Sequence, residues 1–247
     1  MTDLSGTIEE LARYGVDARL LDLPPGSFPM WLIDTGSFRL DALEALLTDA
    51  ERERAGRFRA ETLRRRYISA HGSLKILLRH CYGIAAEDQA VELNAFGKPG
   101  LKHYPQVHYS MSYSGPYVLL GLNEGDEIGV DIEVLRPISD AADLAEMHYT
   151  DKERSEIWEG GLSGLDVSRA FLNVWVRKEA CVKAFGQGLG IPLNEVECSS
   201  EDSTATVYLS DGQYETGLIQ TGGDPIMAWA RSVQTYTSVD SSVSKPC

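Results

Sequence analysis

Two segments of this chain carry a long helical period that stops abruptly at a glycine. Residues 61–82 place Leu63, Tyr67, Ala70, Leu74, Leu77 or Leu78, and Cys81 at the three- and four-residue spacing of an amphipathic helix, and Gly83 follows as a left-handed cap. Residues 166–185 repeat the device with Val167, Ala170 or Phe171, Val174, Cys181 or Val182, and Phe185, closed by Gly186. Each segment is preceded by shorter helical stretches, 40–47 and 49–58 in one case, 139–147 and 150–158 in the other. Thr48 or Asp49 is placed to cap the second of these. Each long helix is followed by short strands separated by Gly and Pro: 90–94, 106–112, 117–122 and 127–134, then 204–209, 214–220 and 226–231. A strand at 30–34 (MWLID) precedes both sets. A helical layer cannot bury its apolar stripe alone. The repeated order therefore predicts an α+β fold of two similar halves, each a helix on an antiparallel sheet, facing one another across a cleft. The boundaries read as 1–125 and 126–231. A polar, Ser- and Thr-rich tail over 232–247 is expected to be mobile.

The 247 residues carry 23 Lys and Arg against 37 Asp and Glu, a net charge of −14. That balance argues against nucleic acid as a partner, because phosphate-backbone affinity rests on positive charge. No run reaches the ~18 apolar residues of a spanning helix, so no membrane association is expected. Residues 1–10 lack a basic stretch followed by an apolar one, which predicts no leader and a cytoplasmic protein. The four cysteines (Cys81, Cys181, Cys198, Cys247) are far apart in sequence and predict neither a zinc site nor a disulfide framework. Cys81 and Cys181 lie on apolar helix faces as small buried groups. None of the five histidines pairs at i, i+4, so a histidine metal site is not expected.

Four segments point to chemistry. In Gly129-Val130-Asp131-Ile132-Glu133, strand alternation sends Val130 and Ile132 to one face and both acids to the other. Two carboxylates ~6.5 Å apart on one strand repel by about 2.5 kcal/mol at an effective dielectric near 20. A hard cation such as Mg²⁺ or Mn²⁺ would reverse the sign, whereas on a solvated face the pair costs little. On the second long helix, Trp175, Glu179 and Lys183 stack at i, i+4, i+8, offset from the buried stripe, and suggest a cleft wall rather than open surface. The loop Gln187-Gly188-Leu189-Gly190 beyond it leaves room for a ligand. From Arg52 to Arg66 there are seven arginines and two acids. That local reversal of charge suggests an anionic ligand or acidic partner, or else a solvated helix face. Finally, Phe96-Gly97-Lys98-Pro99 sets a lysine in a turn, where it can serve as a point charge for phosphate, and Tyr109-Ser110-Met111-Ser112-Tyr113-Ser114-Gly115 ends a strand in hydroxyls.

Taken together, these segments resemble the surfactin-type (Sfp-type) 4′-phosphopantetheinyl transferases. The resemblance rests on Gly129–Glu133 followed by Trp175, Lys178-Glu179-Ala180, Lys183-Ala184, Gly186 and Gly188-Leu189, supported by Arg54 and Gly97-Lys98-Pro99. It runs from Thr48 to Leu189. It implies a pseudo-dimer of two α+β halves with the active site between them. It implies a monomeric enzyme that moves the 4′-phosphopantetheine arm of coenzyme A to a serine of an apo acyl, peptidyl or aryl carrier protein and releases adenosine 3′,5′-bisphosphate. Such activation serves fatty-acid, polyketide or non-ribosomal peptide biosynthesis. Asp131, Glu133 and Glu179 would hold Mg²⁺, or Mn²⁺. Glu179 would serve as base and Lys183 would stabilise the departing phosphate. Lys98, Ser112, Arg54 and Arg66 would contact coenzyme A, and Glu153 resembles a further acidic position. Where the family has Ser-His-Ser this chain has Ser112-Tyr113-Ser114, so Tyr113 takes the place of a phosphate-facing histidine. Glu51 stands where the family can carry a second basic residue. Another Mg²⁺-dependent phosphoryl or nucleotidyl transferase would also use a strand D-x-E pair, but gives the Trp175–Lys183 face no role. A non-catalytic module docking an acidic protein would not need the three acids to converge.

Overall fold

The helix that the spacing predicts over 61–82 forms with those bounds, and Gly83 closes it in the left-handed conformation at φ 67°. The structure is a computed structural model that describes residues 4–23, 27–36, 39–159, 161–198, 204–210, 212–220 and 223–233. In chain order the elements are α1 (Ser5–Arg13), β1 (Asp17–Leu20), β2 (Met30–Asp34), α2 (Leu40–Glu44), α3 (Asp49–Gly56), α4 (Glu61–Tyr82), β3 (Val91–Leu93), β4 (Pro99–Leu101), β5 (Val107–Ser114), β6 (Tyr117–Glu124) and β7 (Ile128–Glu133). Then come α5 (Ala141–His148), α6 (Asp151–Trp158), α7 (Leu165–Phe185), β8 (Thr204–Leu209), β9 (Gly212–Ile219) and β10 (Ile226–Val233). The sequence pattern had not marked α1, β1 or β4, and α2 is shorter than the 40–47 predicted. Strand β10 runs on to Val233, so the first two residues of the expected tail are strand; 234–247 lie outside the described residues.

Two antiparallel sheets organise the chain, ordered β1-β2-β6-β5 and β7-β10-β9-β8, with β3-β4 as a separate ribbon. Helix α4 covers one face of the first sheet through Ile68, Leu74, Leu77 and Leu78 against Trp31, Ile33, Leu120 and Leu122. Helix α7 covers the second through Phe171, Val174 and Cys181 against Ala228 and Ala230. The uncovered faces meet in a third cluster, where Met30, Leu32 and Leu119 pack on Val130, Ile132, Met227 and Trp229. All three surfaces bury apolar area.

The sheets adjoin along β5 and β7 without sharing a backbone ladder. Three serines at period two span the gap instead. Ser110 Oγ accepts from Val130 N at 3.0 Å. Ser112 Oγ donates to Asp131 at 2.6 Å. Ser114 Oγ accepts from Val134 N at 3.0 Å and donates to Glu133 at 2.8 Å. One face of β5 therefore satisfies the edge of β7, which would otherwise leave buried amides unpaired.

The two halves also repeat a local device. Thr48-Asp49-Ala50-Glu51-Arg52 and Thr150-Asp151-Lys152-Glu153-Arg154 each form a full capping box, Thr48 with Glu51 and Thr150 with Glu153. In both, the capping glutamate reaches a buried lysine of the following long helix: Glu51–Lys75 at 3.2 Å and Glu153–Lys178 at 2.6 Å. Glu51 also faces His71 at 3.3 Å. Burial pushes the Glu51 carboxyl up, but the hydrogen bonds from His71 and the Thr48 backbone, with Lys75, outweigh it and hold the pKa at about 2. A depressed carboxyl contributes its full stability above the ordinary pKa near 4.5 and loses it as the pH falls toward about 2. Glu51→Gln should therefore lower the urea midpoint most at pH 6, by an amount on the order of 2 kcal/mol, with the gap to the parent closing below pH 4.5. A gap that is independent of pH would show that the Glu51 charge does not contribute to folding.

Candidate active site

Helix α7 comes unusually close to β7. A Cβ at Gly129 would stand 2.0 Å from Ala180 O and 2.5 Å from Ala184 N, so only glycine fits beneath the helix. Gly129, Asp131 and Glu133 share a face by strand alternation, and that face meets the helix surface carrying Glu179 and Lys183. The acids predicted on one strand face are there, but the face is covered rather than solvated. Asp131 is only 5% exposed.

Asp131 is the centre of the node. Its Oδ1 accepts from Lys183 Nζ at 2.6 Å and from Ser112 Oγ at 2.6 Å. Lys183 Nζ also donates to Ser112 Oγ at 3.0 Å and to Val130 O at 3.2 Å, so all three of its protons have acceptors. Burial, aided by the Glu133 charge, pushes the Asp131 carboxyl above its usual range and outweighs Lys183 and Ser112, which pull it down. Glu133 accepts from Ser114 Oγ and, at 2.9 Å, from Arg136 Nη1. Glu179 is half-buried and makes no hydrogen bond or ion pair among the described residues. Burial, then the Asp131 charge, raises its pKa; Lys183 lowers it and Glu133 raises it further.

The donor set suits a hard divalent cation. Three carboxylates against Lys183 leave two negative charges, and Glu179 is an acid without a counter-charge of its own. As they stand, no three such groups among the described residues are gathered closely enough to hold a metal. The reason is visible in the contacts: Asp131 is turned to Lys183 and Ser112, and Glu133 to Ser114 and Arg136. Trp175 lies one turn before Glu179 and stacks on Phe171, with ring centroids 6.0 Å apart. Trp175 and Phe171 line, with Glu133, Arg136, Ile138 and Leu144, a cavity of about 260 Å³.

Other residues singled out in the sequence fall elsewhere. Lys98 was expected as a point charge for phosphate. Its ammonium instead meets Glu127, Ile128 O at 3.3 Å and Ala184 O at 3.0 Å, three acceptors for three protons. It ties the β3–β4 ribbon to β7 and to the end of α7, and it is not part of the Asp131 node. Glu153 is likewise spent, on Lys178, the Thr150 amide and, at 2.6 Å, the Cys198 amide. Tyr113 projects from the side of β5 opposite Ser112, toward Tyr67 and Arg54; burial, and after it Tyr67, raises its pKa while Arg54 lowers it. Arg54 lies over the Tyr67 ring at 5.5 Å. Arg66 has a buried Nε without a partner.

The arginine run is partly neutralised by nearby acids. Arg52 pairs with Asp49, Arg57 with Glu53, and Arg64 with Glu44. Arg65 Nε donates to Thr35 O at 3.4 Å. Arg54, Arg59 and Arg66 have no carboxylate partner among the described residues. The sequence reading missed Arg136 and the bridging role of Ser110 and Ser114. The serine alternation in Tyr109–Gly115 was the available signal. Nothing in sequence marks Arg136, whose partner is set by the turn after β7.

Comparison with known proteins gives the family. A sequence profile described as the 4′-phosphopantetheinyl transferase superfamily matches residues 127–229, the segment that spans β7 and α7. The 4′-phosphopantetheinyl transferase HetI of Nostoc sp. (strain PCC 7120) is 30% identical over 173 residues, covering 68% of this chain and 72% of that protein. The 4′-phosphopantetheinyl transferase psf-1 of Bacillus pumilus is 27% identical over 174 residues, 70% of this chain and 72% of that one. The 4′-phosphopantetheinyl transferase Sfp of Bacillus subtilis (strain 168) is 24% identical over 168 residues, 68% and 73% respectively. The closeness of α7 to β7 gives a direct test. Gly129→Ala should destabilise the protein by about 3 kcal/mol, since the added methyl meets backbone that cannot turn aside. A urea midpoint equivalent to the parent within ~0.5 kcal/mol would mean that α7 does not seat on Gly129.

Proposed function

The chain belongs to the 4′-phosphopantetheinyl transferase superfamily, and we propose that it transfers phosphopantetheine from coenzyme A to a serine hydroxyl of an apo acyl, peptidyl or aryl carrier protein in a Mg²⁺-dependent reaction. It is an enzyme of that family; the carrier, the metal and the residue roles are this reading. The second product is adenosine 3′,5′-bisphosphate. The reading places the enzyme in the cytoplasm as a monomer. Among the described residues, no helix is long and apolar enough to cross a membrane.

Asp131, Glu133 and Glu179 are the residues that would hold Mg²⁺ or Mn²⁺, and the ion would neutralise charge on the pyrophosphate of coenzyme A. Glu179 supplies the base. Its carboxyl is raised by burial and by its acidic neighbours, which strengthens its hold on a proton, and it has no partner to release first. The attacking serine oxygen forms a bond to the β-phosphorus, the bond to the bridging oxygen breaks, and adenosine bisphosphate leaves with the electron pair. Lys183 is poised at the seam to meet the charge on that leaving phosphate, keeping Asp131 as its counter-ion. Ser112 orients both. Arg66, with its unpartnered buried Nε, and Arg54 supply positive charge toward the phosphates and ribose, and Tyr113 offers a neutral hydroxyl on the same side as Arg54. Lys98, whose protons are taken, is left out of this reading.

The observation that carries the reading is a strand acid, Asp131, meeting a helix acid and a helix lysine, Glu179 and Lys183, where the two sheets join. Intact-mass analysis of an apo carrier protein incubated with this enzyme, coenzyme A and Mg²⁺ tests it. The carrier should gain one phosphopantetheine unit, and chelation of the metal should stop the gain. Asp131→Asn, Glu133→Gln and Glu179→Gln should each slow transfer by at least about 100-fold while the fold persists. A carrier whose mass never changes, with the parent enzyme folded and coenzyme A bound, would overturn the reading.

A further inference from the structure

Two internal cations sit on the acidic node, and they are built differently. Lys183 is held among three acceptors and shares Asp131, which is 5% exposed. Arg136 approaches Glu133 from the turn after β7, with Nη1 2.9 Å from Glu133 Oε2 and 3.4 Å from Val134 O. Its side chain is 57% exposed. The backbone on either side of it is fixed: Leu135 N donates to Asp224 at 2.7 Å, and Ile138 N to Ser168 Oγ at 3.1 Å. The guanidinium can therefore leave Glu133 by side-chain rotation alone, and the cavity it lines with Ile138 and Trp175 gives it room. An exposed ion pair of this kind is weak enough to be exchanged. The carboxylate it holds also accepts from Ser114 through the same oxygen, so Arg136 fixes which way Glu133 points.

We propose that Arg136 is a positioning residue that holds Glu133 turned away from Glu179 in the metal-free enzyme and is displaced when a divalent cation enters. This rests on the reading that Asp131, Glu133 and Glu179 are the metal ligands. In that state two cations offset two of the three carboxylate charges, which limits their mutual repulsion. Entry of the metal exchanges one of them, Arg136, for the ion. Arg136 thereby weakens metal binding by competing for Glu133, and the exchange frees an exposed guanidinium at the cavity mouth.

The test is Mn²⁺ binding to the full chain without coenzyme A or carrier, read from the electron paramagnetic resonance signal of free Mn²⁺. Arg136→Gln should bind Mn²⁺ about fivefold tighter than the parent, equivalent to about 1 kcal/mol. Arg136→Lys should stay near the parent, since it restores a cation on Glu133. In a Glu133→Gln background, Arg136→Gln should change nothing. The gain should shrink at high ionic strength, because the competing pair is exposed. Equal or weaker Mn²⁺ binding by Arg136→Gln, with its melting temperature unchanged, overturns the role of Arg136. If Asp131→Asn and Glu179→Gln still weaken Mn²⁺ binding in that case, the ligand set stands and only the competition is lost. If the parent binds no Mn²⁺, or if those two variants bind it as the parent does, the ligand reading falls and the role of Arg136 with it.

Discussion

A carboxylate buried at the join of two sheets needs a counter-charge, and Lys183 supplies it to Asp131. Taking an acid out of water costs several kcal/mol unless its partner is close and its remaining lone pairs are met. Asp131 gains both contacts, each on its Oδ1, only because three things coincide. Helix α7 must lie low enough on β7 for Lys183 to reach, which Gly129 permits. Strand β5 must present a hydroxyl at the same level, which Ser112 does. The lysine must then find its other acceptors in Ser112 and the Val130 carbonyl. Shifting β7 by a residue would turn the acid to the other face, and shifting β5 by one would turn Ser112 away from it.

The same arrangement draws on both sheets. The acids come from the strand of the second half, the lysine and Glu179 from its helix, and the orienting serines from the edge strand of the first. What the halves share is scaffolding, not chemistry. Each uses a capping-box glutamate to anchor a short helix to a buried lysine on the long helix behind it. That pairing fixes the angle between the helices at the cost of a buried ion pair. It also accounts for two acids that looked functional or anomalous in sequence. Glu153 serves α6 and Lys178, and Glu51 serves α3, Lys75 and His71.

Much of the scaffold was legible because it rests on local rules. Helical spacing and closing glycines gave α4 and α7, and alternation gave β5, β6 and β7 to within two residues. That Asp131 and Glu133 lie on one face was legible for the same reason, since alternation requires it of any strand. What was not legible depends on contacts far apart in the chain. Helix α1 has no side-chain cap at its start, and it is held in part by Trp31 Nε1 donating to Thr7 Oγ1 at 3.1 Å, a pair 24 residues apart. Lys98 looked free in a turn because its three acceptors lie on β7 and α7 and in the segment between the sheets. The arginine run looked strongly basic because the acids that neutralise Arg64 and Arg52 come from outside it, at Glu44 and Asp49.

That neutralisation changes what the charge pattern can do. A chain of net charge −14 cannot draw an anion by its overall field, so any attraction must be local. Of the seven arginines, Arg54, Arg59, Arg65 and Arg66 have no carboxylate partner among the described residues, and the buried Nε of Arg66 has no acceptor among them. Leaving such a group unpaired costs about 1–3 kcal/mol, a cost that a bound anion would remove. The acidic node is the complementary case: Lys183 pairs with Asp131 and Arg136 with Glu133, while Glu179 has no cation of its own among the described residues. On the proposed reading, ligand and metal would act on opposite deficits. An anion at Arg66 would satisfy unpaired positive charge, and a divalent ion at Glu179 would satisfy unpaired negative charge. A ligand that carries phosphates to both would bridge them, drawing its affinity from the two imbalances that folding leaves.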